Sequence, residues 1–335
     1  MRHRSLAPAI LAILMGLPVL DTDALAQAWV PAQGEGSVSI AFQDMKVTKH
    51  MSATVSVEAG NIDTSILLAD ATFGLTDRIA VDVALPLVRS RYIGPFAHPQ
   101  TDIDDGVYRT SFSDVRFAVR YNLVREGAVI TPYIGSVVPS SNYAYYGHAA
   151  TGQQLNELQV GVYAAKLLER GLPGLFVSGR YGFGFVEKVL DISHNRSLGN
   201  LEVGYFFNSR FRAFTMANAG LTHGGIDFPI NGLPGLPVEY KQNHDQIQRV
   251  NFLEVGLGGA FSMTDSLDAF GSFSKQVAGR NGHVLDRGIT VGLSWGFRRK
   301  GPGESVAATA PASGAPDAET EKREGTLLRC ICQKS

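Results

Sequence analysis

Apolar and polar residues alternate one by one over many short stretches of this chain. The clearest runs from Ile289 to Phe297. Ile289, Val291, Leu293, Trp295 and Phe297 share one face there, and Thr290, Gly292, Ser294 and Gly296 share the other. A period of two marks a β-strand with unlike faces. The same rhythm recurs with charge on the second face. Val115, Phe117, Val119 and Tyr121 alternate with Asp114, Arg116, Ala118 and Arg120, while Ile79, Val81, Val83 and Leu85 alternate with Ala80, Asp82 and Ala84. Further strands are predicted at Leu175–Phe185, which carries Arg180, at Leu201–Phe207, which carries Glu202, and at Leu253–Phe261, which carries Glu254. Val129–Val138, Leu158–Leu168 and Phe211–Leu221 alternate poorly and leave their facing open.

The connections sort by length. Short turns are expected near Thr76-Asp77, Arg125-Glu126-Gly127, Glu169-Arg170-Gly171, Asn208-Ser209 and Thr264-Asp265. Between them fall longer polar stretches: His50 to Gly60, Ile93 to Val107, Ser140 to Asn156, Glu187 to Arg196, Gly224 to Gln248, and Val277 to Arg287. A soluble sandwich has no reason to segregate its loops, whereas an outer-membrane barrel has short periplasmic turns and long outer loops. The predicted fold is therefore an all-β, transmembrane, antiparallel up-and-down barrel of about twelve strands. Its apolar face would meet lipid, and both chain ends would lie on the periplasmic side.

The ends of the chain fit export. Arg2, His3 and Arg4 precede an apolar run from Leu6 to Leu20 and the small-residue stretch Ala24-Leu25-Ala26. This is the pattern of a signal peptide over residues 1–26, with Gln27 as the new N-terminus. The barrel is expected over 27–297, followed by a disordered periplasmic tail over 298–335 whose Ala/Pro/Gly/Ser-rich and then charged sequence cannot bury a core. Both cysteines, Cys330 and Cys332, lie in that tail, so no disulfide is expected inside the barrel and a lone C-x-C implies no metal. With 18% charged residues and a net charge of −1, the composition gives no support for nucleic-acid binding.

Chemistry is sparse. Asp191, His194 and Ser197 are the best local candidates for an outer-leaflet lipid hydrolase, but no glycine elbow accompanies them, and no enzyme is predicted. The histidines after the signal peptide fall in or beside the predicted outer loops without the close spacing of a local metal site, and no metal or other cofactor is expected. Asp102, Asp104 and Asp105 read as solvated loop charge or as a cation bridge to lipopolysaccharide. The informative set is the expected lumen lining: Asp82, Asp114, Arg116, Arg120, Arg180, Glu202, Glu254 and Asp268, which could pair across strands or guide a solute.

Phe73-Gly-Leu-Thr-Asp-Arg-Ile-Ala-Val-Asp-Val-Ala-Leu-Pro-Leu-Val88, followed by Ser113-Asp-Val-Arg-Phe-Ala-Val-Arg-Tyr121, resembles a hairpin and the next strand in the outer-membrane proteins of the phenol meta-degradation pathway. The resemblance covers about the first third of the exported chain. It implies a barrel that admits small hydrophobic or aromatic compounds, with no catalytic residues to map. Ser113 stands where that family often has glycine. Trp295 and Phe297 resemble a terminal assembly signal, although the tail follows them. The expected partners are outer-membrane lipid and lipopolysaccharide, the barrel-assembly machinery and a small solute, in a monomeric passive channel. The alternatives are a non-transporting structural barrel and the outer-leaflet hydrolase.

Overall fold

A computed structural model describes residues 28–95, 102–168, 171–227 and 237–298. The expected signal peptide, its cleavage site, Cys330 and Cys332 and nearly all of the expected tail lie outside the described residues. The strands are β1 (Glu35–Met51), β2 (Ser56–Thr76), β3 (Ile79–Ile93), β4 (Arg109–Phe112), β5 (Asp114–Tyr121), β6 (Ala128–Pro139) and β7 (Glu157–Leu168). They continue with β8 (Leu175–Val186), β9 (His194–Phe206), β10 (Phe211–Gly224), β11 (Asn251–Ser262), β12 (Leu267–Arg280) and β13 (His283–Arg298). Neighbours in sequence pair antiparallel, and β13 pairs back onto β1 from Glu35↔Arg298 to His50↔His283, so the sheet closes. β4 and β5 are two pieces of one strand, both paired with β3 and parted at Ser113, whose N–H reaches Pro86 O at 2.9 Å. The result is a closed barrel of 12 strands.

Alternation assigns the faces. Phe117, Val119 and Tyr121 on β5, Val255 and Leu257 on β11, and Ile289, Val291, Leu293 and Trp295 on β13 are exposed, while Arg120, Glu202 and Glu254 on the opposite parity are buried. In water such an exposed apolar belt would drive aggregation; in a bilayer it is the solvated surface, and closure leaves no unpaired edge. This arrangement belongs to the bacterial outer membrane. The weakly alternating strands β6, β7 and β10 have a physical explanation. Their inner faces carry Val129, Tyr133, Tyr163, Ala165 and Phe214, which pack with Phe176 into an apolar cluster inside the barrel. Both faces of these strands are apolar in part, which erases the contrast the eye looks for.

Two of the six expected loops are strand instead. Between β1 and β2 only residues 52–55 turn, and between β12 and β13 only Asn281 and Gly282 do. Asn281 has φ 56° and Gly282 φ 80°, the positive pair that a tight two-residue hairpin turn needs. The turn is held from the side, since Asn281 Nδ2 donates to Asp227 Oδ1 at 2.9 Å and to Arg249 O at 2.8 Å. β1 has 17 residues and β2 has 21, against the roughly 9–11 that a tilted strand needs to cross a bilayer. These hairpins therefore rise past the membrane on the long-loop side. A fully hydrogen-bonded wall of this kind resists detergent. Unheated protein in dodecyl sulfate should run as a compact fast band that moves to its full mass on boiling, and a single unshifted band would contradict closure.

Candidate functional site: the barrel interior

The lower, short-turn end is capped from within. Ala28 is fully buried, and its carbonyl accepts hydrogen bonds from Thr131 Oγ1 at 2.5 Å and Asn122 Nδ2 at 3.4 Å. Arg120 Nη1 reaches Trp29 O at 3.3 Å, and Trp29 packs on the internal aromatic cluster. Glycine makes this packing possible: a side chain at Gly74 would collide with the backbone of Pro31 and Ala32, and one at Gly182 with the Tyr133 hydroxyl.

Above the cluster lies a cavity of about 340 Å³. One part of its wall is apolar, with Ile62, Ile66 and Val88 from β2 and β3 and Leu285 from β13. Another is polar and charged, with Asp114, Arg116, Gln159, Arg196 and Glu254. A roof closes over it. From the loop between β6 and β7, Tyr143 donates its hydroxyl to Asp114 Oδ1 and accepts the Gln154 N–H at 2.7 Å. Burial, reinforced by the neighbouring Asp114 carboxylate, pushes the Tyr143 phenol far up, so it remains a neutral donor. From the loop between β10 and β11, Gln246 Nε2 donates to Gln153 O at 2.7 Å, which ties the two long loops across the mouth. Ile247 and Ala149 are buried beneath them.

The eight residues expected to line the lumen all lie on the inward parity, but they do not form one array. Asp82 and Arg120 make a two-pronged ion pair, with Nε–Oδ2 at 2.7 Å and Nη2–Oδ1 at 2.8 Å, near the lower end. Arg180 donates to the Tyr133 hydroxyl and to Gln159 Oε1, each at 2.9 Å. Glu202 faces Arg212 at 3.4 Å. Asp114, Arg116 and Glu254 face the cavity, and Glu254 Oε2 and Asp268 Oδ1 are buried without a hydrogen-bond partner among the described residues.

Sequence reasoning missed two participants. Arg196, the last residue of the expected Glu187–Arg196 loop, lies on β9, pairs with the fully buried Glu157 carboxylate and holds Gln153 Oε1 at 2.8 Å. Arg212 lies on a strand whose alternation is blurred. Trp295 and Phe297 sit on the outer face of β13 near its lower end, with Phe297 stacked 6.5 Å from Phe73.

Asp191, His194 and Ser197 do not assemble. His194 lines the cavity and its Nδ1 lies 3.3 Å from Ile192 O, whereas Ser197 is on the outward parity. Ser197 Oγ instead lies 2.8 Å from His223 Nε2 and 3.1 Å from the Tyr181 hydroxyl. Among the described residues no carboxylate or amide side chain hydrogen-bonds His223, and Ser197 is 2% exposed. A serine–histidine contact without an orienting third group or access for substrate lacks the parts of an acyl-transfer site.

No family model matches the chain, and no curated protein matches it. Solved structures do. A crystal structure of an outer-membrane channel from Pseudomonas putida F1 superimposes with a TM-score of 0.63 at 12% identity, covering 88% of this chain and 100% of that one. The NanC porin gives a TM-score of 0.44 at 10% identity over 77% of this chain and 98% of its own. The translocator domain of the autotransporter NalP from Neisseria meningitidis gives 0.46 at 14% identity over 79% of this chain and 88% of that domain. At such identities the first likeness shows the fold, an outer-membrane β-barrel, and the other two add nothing to it.

Proposed function

We propose that this protein is an outer-membrane channel for small solutes that have an apolar body and a hydrogen-bonding group. The observation that carries this reading is the two-sided cavity inside a closed barrel. Its apolar wall of Ile62, Ile66, Val88 and Leu285 stands with Arg116, Gln159, Arg196 and Glu254, whose Oε2 has no hydrogen-bond partner among the described residues. Few polar groups among apolar walls orient a ligand without holding it tightly, and conduction requires binding weak enough to release. The likeness of residues 73–88 and 113–121 to barrels of the phenol degradation pathway supports aromatic solutes, and the Pseudomonas putida structure is itself described as a channel.

Proteoliposomes provide the test. Phenol-sized aromatic alcohols and acids should enter vesicles carrying the protein faster than vesicles without it, and faster than sugars of similar mass. Equal entry into both kinds of vesicle would remove the channel and leave a structural barrel. The Ser197–His223 contact favours a lipid hydrolase only if phospholipid in those vesicles is cleaved and Ser197→Ala abolishes the cleavage.

A further inference from the structure

Three histidines far apart in sequence meet at the long-loop rim. His50 is the last residue but one of β1 and His283 begins β13, and the two are paired directly across the strands. Between Val47 and Lys49 the ladder slips register against both neighbouring strands, a bulge of the kind that re-aims the side chains beyond it. The His50 ring thereby comes to 4.4 Å from that of His283. His148 descends from the roof loop, and its ring stacks 4.5 Å from His50 and 4.2 Å from Tyr92. One ring nitrogen from each histidine can be chosen so that all three lie within 4.8 Å of one another.

From this geometry we infer that His50, His148 and His283 form a binding site for a borderline divalent transition metal, with Zn²⁺ the type case. Three imidazole nitrogens are a recognised zinc donor set that leaves a fourth position open, and they discriminate against the oxygen-seeking Mg²⁺ and Ca²⁺. Zinc–nitrogen bonds of about 2.0–2.1 Å place tetrahedral donors roughly 3.3 Å apart. The rings need only turn about their side-chain bonds and close by on the order of 1.5 Å. His148 is already oriented by a carboxylate: its Nδ1 lies 2.8 Å from Asp104 Oδ2, and Asp104 Oδ1 accepts the Ala149 N–H at 3.1 Å. With Nδ1 turned to the carboxylate, Nε2 is the nitrogen that would ligate the metal, in the usual carboxylate–histidine–metal relay. Asp104 and His148 are nearly inaccessible, with side chains 1% and 4% exposed, so the relay is built into the roof and not left to a mobile surface. Metal bound here would rivet the β6–β7 loop to the seam where the first and last strands close.

The test uses the full exported chain folded in detergent, stripped with a chelator and titrated with Zn²⁺ against a chromogenic competitor. Co²⁺ absorption reports the geometry. One equivalent should bind with intense tetrahedral Co²⁺ bands, Asp104→Asn should weaken binding about 10–100-fold, and His148→Ala should abolish it. His148 is in a loop, so the His148→Ala barrel should still show its heat-dependent gel shift. Absence of stoichiometric binding, or binding unchanged in His148→Ala, would reduce the three rings to a stacking cluster and overturn the inference. The readout needs no solute flux, so it stands or falls apart from the channel reading.

Discussion

Asp82→Ala is expected to destabilise the folded barrel by about 3 kcal/mol, the lower end of the range for breaking a buried ion pair. Arg120 is only 2% exposed, and its guanidinium is gripped by both oxygens of Asp82, which is itself fixed by Thr72 Oγ1 at 2.7 Å. Removing the carboxylate strands the cation in the wall beside the lower cap, whereas Asp82, a quarter exposed, recovers some hydration when the pair is cut from the other side. Arg120→Leu should therefore be milder. The double variant Asp82→Ala/Arg120→Met should regain most of the loss, because two apolar groups carry no desolvated charge. Urea unfolding in micelles, followed by tryptophan fluorescence, measures all three. An unchanged midpoint for Asp82→Ala would mean that the charge finds water, and that the lower lumen is wetter than its packing shows.

Shortening the roof should have the largest functional effect. Replacing residues 141–153 with Asn-Gly removes Tyr143, His148 and Gln153 together, and with them the bonds to Asp114, Asp104 and Gln246. The strands β6 and β7 remain paired from Val137↔Glu157 downward, and an Asn-Gly turn suits a two-residue hairpin connection. Single-channel conductance in planar bilayers should rise severalfold, with weaker selection among solutes. If conductance stays the same, the narrowest point lies at the other end, around Ala28 and Trp29.

The wall of this protein was readable because lipid on one side and polar groups on the other impose a period of two, as Ile289–Phe297 displays without interruption. The reading weakened where that contrast failed. Tyr133, Tyr163 and Phe214 turn large rings inward, so β6, β7 and β10 have partly apolar faces on both sides. Asn281-Gly282 carried a turn signal that a purely compositional view of a polar stretch passes over, and a loop was expected where two strands continue. The interior was legible only as a list of inward parities. Which groups meet depends on shear around the barrel and on loops folding in. Arg196 with Glu157, and His148 with His50 and His283, are joined across 39 or more positions by no local spacing. Asp82 with Arg120 and Glu202 with Arg212, by contrast, lie on adjacent strands, β3 with β5 and β9 with β10.

The lower cap gives the wall and the bore different degrees of freedom. β1 begins its ladder at Glu35, whereas the carbonyls of Ala28 and Trp29 are held by three side-chain hydrogen bonds, each worth about 1 kcal/mol net. Those three bonds and the packing of Trp29 hold the segment inside the lumen, and none of them is part of a strand pairing. The register of the cylinder that spans the membrane is therefore set independently of the segment that fills its lower end.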